Sequence, residues 1–217
     1  MSIFKNAAGH YQSTLLAGYG EVRHAFGTAS APVTEDYLVL QQVHSARVLT
    51  ARECGPGVEG DALITAEPGV MVAVKTADCV PLLLFDPRSG AVAAVHSGWR
   101  GTVRNIAAEA VRAMGREYAS RPEDLVAALG PAIGGCCFEV GAEVAVEFGG
   151  LFPEREDLDR RTRVDLVEGV VRQLAGAGVE RIDRGAPCTF CGGAEFYSWR
   201  RDRVKGQRMY AVIGRGV

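Results

Sequence analysis

The chain has 217 residues, 47% of them apolar and 23% charged, an ordinary globular composition that can bury one substantial core. Its 24 basic and 26 acidic residues leave a net charge of −2, distributed along the chain. That balance gives no electrostatic footprint for nucleic acid or for an anionic membrane.

Residues 1–20 lack a basic start followed by an apolar run, so no export signal is expected. No stretch approaches the roughly 20 apolar residues of a spanning helix. The six cysteines (Cys54, Cys79, Cys136, Cys137, Cys188 and Cys191) therefore read as thiols or ligands rather than disulfides, and the expected compartment is the cytoplasm.

In chain order, Asp36–Val43 and Ala46–Ala51 are rich in β-branched and apolar residues and predict strands. Met71–Lys75, Val80–Phe85 and Ala91–Val95 are near-continuous apolar runs, the pattern of strands buried on both faces. The turn Asp86-Pro87-Arg88-Ser89-Gly90 predicts a hairpin between the last two. Over Val103–Tyr118, the set Val103, Ile106, Ala107, Ala110, Val111 and Met114 marks one buried helix face. Leu125–Leu129 predicts a strand, and Val140–Glu147 a short helix. Arg155–Arg163 reads as a charged loop. A second long helix is expected from Arg163 to Ala175, with Thr162 and Asp165 as candidate caps and Gly176 as its stop. Arg208–Ile213 predicts a final strand. The expected architecture is one α+β domain with strands grouped before helices.

Two of the four histidines, His10 and His24, have neither glycine nor carboxylate beside them that would suggest a site, and read as surface or core positions. His44 and His96 each end an apolar strand, and glycines follow His96 in His96-Ser97-Gly98-Trp99-Arg100-Gly101, where a pocket commonly opens. Thr76-Ala77-Asp78-Cys79 lies between them at a strand junction. Two imidazoles and a thiolate form a three-ligand zinc set with a fourth position open, although their wide spacing alone is weak support.

Five ordered motifs sharpen this. Gln42-Val43-His44, Gly60-Asp61-Ala62-Leu63, Thr76-Ala77-Asp78-Cys79-Val80-Pro81, His96-Ser97-Gly98-Trp99-Arg100-Gly101 and the segment from Gly130 to Val140 resemble those of the laccase-domain family. The family is also called multicopper polyphenol oxidase or peptidoglycan-editing-factor-like. Cys188-Thr189-Phe190-Cys191 and Phe196-Tyr197-Ser198-Trp199-Arg200-Arg201-Asp202 fit the same pattern, so the likeness runs from about Val22 to the C-terminus. The resemblance implies a mixed-sheet sandwich with flanking helices, related to cysteine-hydrolase-like folds. It implies zinc held by His44, Cys79 and His96, and phosphorolysis of adenosine, inosine and methylthioadenosine together with adenosine deamination. It also carries the older name's copper and, for some members, removal of a wrong amino acid from cell-wall precursors. Three departures stand out: a short Gly27–Gln42 segment, Ala132 where cysteine is common, and Trp199 in place of tyrosine.

Several roles remain to be placed. Phenol oxidation needs several coppers and hence many histidines, so two at the site favour zinc over copper. Cys79 with His96 as base is the alternative, a cysteine hydrolase. Asp78 is expected to orient an imidazole or act as acid/base, with a turn-forming aspartate as the plainer reading. Arg100, beside the start of the Val103 helix, is the expected phosphate contact, ahead of Arg200 and Arg201. Trp99 could stack on a purine but reads first as packing. Cys136, Cys137, Cys188 and Cys191 could make a second zinc site. Because adjacent side chains diverge in extended chain, buried structural thiols are the expectation.

Overall fold

The computed structural model describes residues 2–216. Among these, thirteen strands and six α-helices follow one another along the chain. Strands β1 (Ile3–Lys5) and β2 (Tyr11–Ser13), helix α1 (Thr14–Ala17) and strand β3 (Val22–Phe26) open it. Then come β4 (Val48–Thr50), β5 (Ala62–Thr65), β6 (Met71–Thr76), β7 (Val80–Phe85) and β8 (Val92–Ser97). Helices α2 (Trp99–Val103) and α3 (Ile106–Tyr118) precede β9 (Val126–Leu129), β10 (Glu139–Val140), α4 (Ala142–Ala145) and β11 (Thr162–Arg163). Helix α5 (Leu166–Gly176), β12 (Arg181–Asp183), α6 (Trp199–Asp202) and β13 (Met209–Arg215) complete the chain.

Two sheets carry the fold. One runs β1-β2-β3-β13-β6 and the other β12-β9-β7-β8-β5-β4, while β10 and β11 pair by themselves. The apolar run of β7 shows why the six-stranded sheet lies in the middle. Side chains alternate across a strand, so Leu82 and Leu84 join the core under the helices while Leu83 and Phe85 join the core between the sheets. All four are fully buried, each worth about 2 kcal/mol of apolar burial. Strand β8 splits likewise, with Ala93 and Val95 toward the helices and Val92 and Ala94 toward the other sheet. Helices α3 and α5 cover the far face through Ile106, Met114, Val170 and Leu174. The fold is therefore an α+β sandwich with helices on one side.

Several sequence expectations change in detail. The β7–β8 hairpin forms, with Phe85 opposite Val92. Asp36–Val43 is not a strand; isolated bridges at Leu38–Val72 and Gln41–Glu59 tie it down instead. The amide side chain of Gln42 closes this arm, donating to the Lys75 carbonyl at 2.8 Å and accepting from the Lys75 N–H at 2.8 Å. Strands and helices interleave rather than separate, because β9, β12 and β13 return to the sheets after helices. The helix expected from Val103 is broken: Asn105 takes φ 60° and ψ 36°, a left-handed conformation that asparagine tolerates. Helix α5 begins at an Asp165 cap whose side chain accepts from the Glu168 N–H, whereas Thr162 pairs with Val140 in a strand.

Candidate metal centre

Strand β6 belongs to one sheet and β7 to the other, so the chain changes sheets across Ala77-Asp78-Cys79. Asp78 makes that turn with φ 87°, a conformation costly for a residue with a Cβ. Four hydrogen bonds hold it there. Its carboxylate accepts from Thr189 Oγ1 at 2.6 Å, Ser198 Oγ at 3.1 Å and the Arg200 N–H at 2.6 Å. Its carbonyl accepts from the Ile133 N–H at 2.9 Å. The strained turn places Cys79 at the junction of the two sheets. Asp78 touches neither imidazole, and the orienting role expected of it falls elsewhere.

That role belongs to Asp61, which immediately precedes β5 and is fully buried. Its Oδ1 lies 2.8 Å from His96 Nδ1 and accepts the His44 N–H at 3.0 Å. Its Oδ2 accepts the Ser45 N–H and Ser45 hydroxyl, each at 2.6 Å, and the Val43 N–H at 3.3 Å. A carboxylate only accepts, so His96 carries a proton on Nδ1 and presents Nε2 to the site. One carboxylate thus fixes both the imidazole of His96 and the backbone turn that carries His44, itself at φ 59°. The motif Gly60-Asp61-Ala62-Leu63 contained this residue. Its signal was a single acidic side chain at the mouth of an apolar strand.

The three expected ligands come together. One donor atom each from His44, Cys79 and His96 lie within 4.8 Å of one another, and Cys79 Sγ is 4.0 Å from His44 Nε2. The imidazole centroids are 4.9 Å apart at 76°. Gly98 makes room for them, since a Cβ there would stand 2.9 Å from Cys79 Sγ and 3.0 Å from His44 Cδ2. His44 is exposed, Cys79 half-buried and His96 buried, so the cluster opens on one side. Burial alone would raise the Cys79 thiol, but the neighbouring His96 and His44 outweigh it and bring Cys79 down to about 6. Burial would lower His96, yet Cys79 and Asp61 raise it to about 9. Burial likewise opposes ionisation of Asp61, and its bonds to His96 and Ser45 hold it at about 2. Both shifts favour a Cys79 thiolate beside a His96 imidazolium in the metal-free cluster. With the His96 Nε2 proton gone, the same donors would offer a metal two nitrogens and one sulfur.

Two cavities meet at His44, Cys79 and Trp199. One of about 520 Å³ is edged by Lys75, Lys205 and Arg208. The other, of about 330 Å³, is edged by Trp99, Arg100, Phe138 and Arg203. Arg100 lies inside α2, not ahead of a long helix, and its guanidinium stacks 4.3 Å from the Trp99 ring. Arg201 is taken up structurally: it pairs with Asp202 and donates to the carbonyls of Thr189, Phe190 and Phe196. Arg200 donates to the Glu139 carbonyl. Sequence reasoning missed Lys75, Lys205 and Arg208, whose separation in the chain carries no motif. It noted Trp199 only as a departure from the family's tyrosine, and that side chain borders both cavities and is 37% exposed.

His10 and His24 stand apart from this centre. His24 is buried on β3 and accepts the Ser13 N–H at 2.9 Å. The four cysteines of the two C-terminal motifs are not the buried thiols expected. Cys136 and Cys191 are exposed, and the sulfurs of Cys136, Cys137, Cys188 and Cys191 lie within 4.8 Å of one another.

Among curated proteins, a purine nucleoside phosphorylase from Deinococcus radiodurans is 43% identical over 197 residues, covering 89% of this chain and 76% of that one. A purine nucleoside phosphorylase from Bacteroides thetaiotaomicron is 35% identical over 211 residues, covering 93% and 77%. Among solved structures, YlmD from Geobacillus stearothermophilus superposes with a TM-score of 0.87 at 28% identity, covering 99% of both chains. The hypothetical protein YfiH of Bacillus licheniformis gives 0.85 at 26% identity, covering 98% of both. Residues 20–216, which hold His44, Cys79 and His96, match the family described as multi-copper polyphenol oxidoreductase laccase. With relatives this similar along nearly the whole chain, the protein belongs to the multi-copper polyphenol oxidoreductase laccase family.

Proposed function

We propose that this protein is a zinc-dependent purine nucleoside phosphorylase acting on adenosine, inosine and methylthioadenosine, which also deaminates adenosine. The activity for which the relatives are named supports the phosphorylase part. The observation that carries the metal is the His44, Cys79 and His96 cluster, whose donor atoms are as close as a single four-coordinate ion requires and whose open side adjoins both cavities. Zinc held there supplies Lewis acidity.

The chain's own groups do the remaining work. Asp61 keeps His96 in one tautomer, and Asp78 fixes the turn that presents Cys79. Trp199 and Trp99 offer faces for a purine, and the Arg100 fork, already laid on Trp99, can hold phosphate in the same cavity. Lys75, Lys205 and Arg208 offer a second cationic wall for the anion. The family's copper label fits poorly, because the centre has two histidines and His10 and His24 lie elsewhere.

The test pairs metal content with product. Zinc-loaded protein should release hypoxanthine from inosine only with phosphate present, and ammonia from adenosine without it. Alanine at His44, Cys79 or His96 should lower the zinc content by one per chain and abolish both reactions. Copper bound at two or more per chain together with phenol oxidation refutes the reading.

A second reading has its own observation. Asp61, His96 and Cys79 are arranged as an orienting acid, a base and a thiolate, the constellation of a cysteine hydrolase, including an amidase for cell-wall precursors. Cys79→Ala protein that keeps its full zinc content but loses activity would favour this reading.

A further inference from the structure

The turn Gly134-Gly135-Cys136-Cys137 and the turn Cys188-Thr189-Phe190-Cys191 come from distant parts of the chain. They are joined by the Ala132–Cys188 bridge and by the Thr189 N–H, which donates to the Ala132 carbonyl at 3.0 Å. Four sulfurs converge there. Cys137 Sγ is 3.3 Å from Cys191 Sγ, Cys136 Sγ is 3.8 Å from Cys191 Sγ, and all four lie within 4.8 Å.

We propose that Cys136, Cys137, Cys188 and Cys191 form a second, tetrathiolate metal site whose natural occupant is zinc. A tetrahedral site with metal–sulfur bonds of about 2.3 Å sets its sulfurs about 3.8 Å apart. A disulfide would need about 2.05 Å. The separations of 3.3 and 3.8 Å, with all four sulfurs inside 4.8 Å, lie near the first and far from the second. Adjacent cysteines diverge in a strand, but Cys136 and Cys137 lie in a turn closed by the Cys137 N–H donating to the Gly134 carbonyl at 2.9 Å. Their side chains there are separated by less than the half-turn of extended chain, so both reach one centre.

The surroundings are those of a thiolate site. The Gly134 N–H donates to Cys188 Sγ at 3.2 Å. Four thiolates so close repel one another unless a cation sits among them. Gly134 is needed for the approach, because a Cβ there would be 3.2 Å from Cys136 Sγ and 3.4 Å from Cys188 Cβ. Soft tetrathiolate donors suit zinc, and a closed four-ligand shell marks a structural site rather than a catalytic one. Binding is balanced as four thiols and one Zn²⁺ giving one tetrathiolate complex of charge −2 and four released protons.

This site bears on the first centre without sharing a ligand. It pins the segment after β9 to the C-terminal segment whose Thr189, Ser198 and Arg200 hold Asp78 beside Cys79. The proposal stands whether or not the nucleoside activity does, and zinc counting separates the two sites. Protein purified under reducing conditions, loaded with Zn²⁺ and freed of excess should hold two zinc ions per chain. Cys79→Ala and the double variant Cys136→Ser/Cys191→Ser should each hold one. With Co²⁺ in place of zinc, Cys79→Ala should keep intense thiolate-to-metal charge-transfer absorption, and the double variant should lose most of it. Wild-type protein gives a test free of any folding defect: the four cysteines should resist alkylation when zinc-loaded, and all four should react after a chelator is added. Zinc content in the double variant equal to that of the wild type would overturn the proposal. So would four thiols that alkylate freely in zinc-loaded wild type, or a pair that stays unreactive after chelation until a reductant is added, which would mark a disulfide.

Discussion

Asp61→Asn tests the assignment of the orienting role most directly. The carboxylate has two oxygens and five donors: Oδ1 serves His96 Nδ1 and the His44 N–H, and Oδ2 serves the Val43 N–H, the Ser45 N–H and the Ser45 hydroxyl. An amide has one oxygen, so whichever way the substituted side chain turns, its NH₂ faces donors. Facing Oδ1's partners, it confronts His96 Nδ1–H; facing Oδ2's partners, it confronts two N–H groups, and only the Ser45 hydroxyl can rotate to accept. At a fully buried position, one unsatisfied donor costs about 1–3 kcal/mol, and loss of a buried charge partner about 3–5 kcal/mol. The expected destabilisation of metal-free protein is about 3 kcal/mol in urea unfolding. His96 loses its fixed tautomer, and loss of such an orienting partner weakens metal binding by about 10- to 100-fold. Zinc affinity measured by competition with a chromophoric chelator should fall by that factor in Asp61→Asn, while Asp78→Asn should leave His96 oriented and reduce affinity less. If Asp61→Asn binds zinc with wild-type affinity and unfolds at the wild-type urea concentration, the reasoning fails.

Gly98→Ala places a methyl group 2.9 Å from Cys79 Sγ, so zinc affinity should drop at least about tenfold, with the fold intact by circular dichroism. Arg100→Ala removes a charge-assisted fork worth about 1.5–3 kcal/mol, which should raise the Michaelis constant for phosphate about 10- to 100-fold. Its deamination rate should hold, and Arg100→Lys should recover only part of the loss; equal loss of both reactions would mean that Arg100 supports the fold or the metal cluster, and no change in either would move the phosphate to Lys75, Lys205 and Arg208. Burial holds His24 down at about 4, below its ordinary 6.5, despite the nearby Asp183, so the unfolded chain binds that proton more tightly. The resulting stability is complete above about pH 6.5 and declines as pH falls toward about 4, by about 3 kcal/mol at full extent. His24→Gln should flatten urea midpoints across that window, and an unchanged slope would assign it to other groups.

Local pattern alone fixed much of this protein. The doubly apolar runs of Val80–Phe85 and Ala91–Val95 specified a sheet buried on both faces, because a strand with no polar alternation has no face to give to water. The periodicity of Ile106, Ala110 and Met114 specified a helix packed on that sheet, and Asp86–Gly90 specified the hairpin. The candidate ligands His44, Cys79 and His96 were legible in part from strand ends beside small-residue turns, and chiefly from the resemblance of their motifs to the laccase-domain family. Other features depend on residues that meet only after folding. Asp36–Val43 has strand composition but finds no continuous partner, since an extended segment becomes a strand only where a neighbour offers a full ladder of hydrogen bonds. Asp61 rather than Asp78 supports His96 because the antiparallel pairing of β5 and β8 brings Asp61 alongside His96, whereas the left-handed turn at Asp78 faces its carboxylate toward Thr189 and Ser198. Likewise, Cys136 and Cys137 meet Cys188 and Cys191 only because one parallel bridge joins two loops more than 50 residues apart. Sequence spacing carries the chemistry of a residue's neighbours along the chain, and tertiary structure alone decides its neighbours across the core.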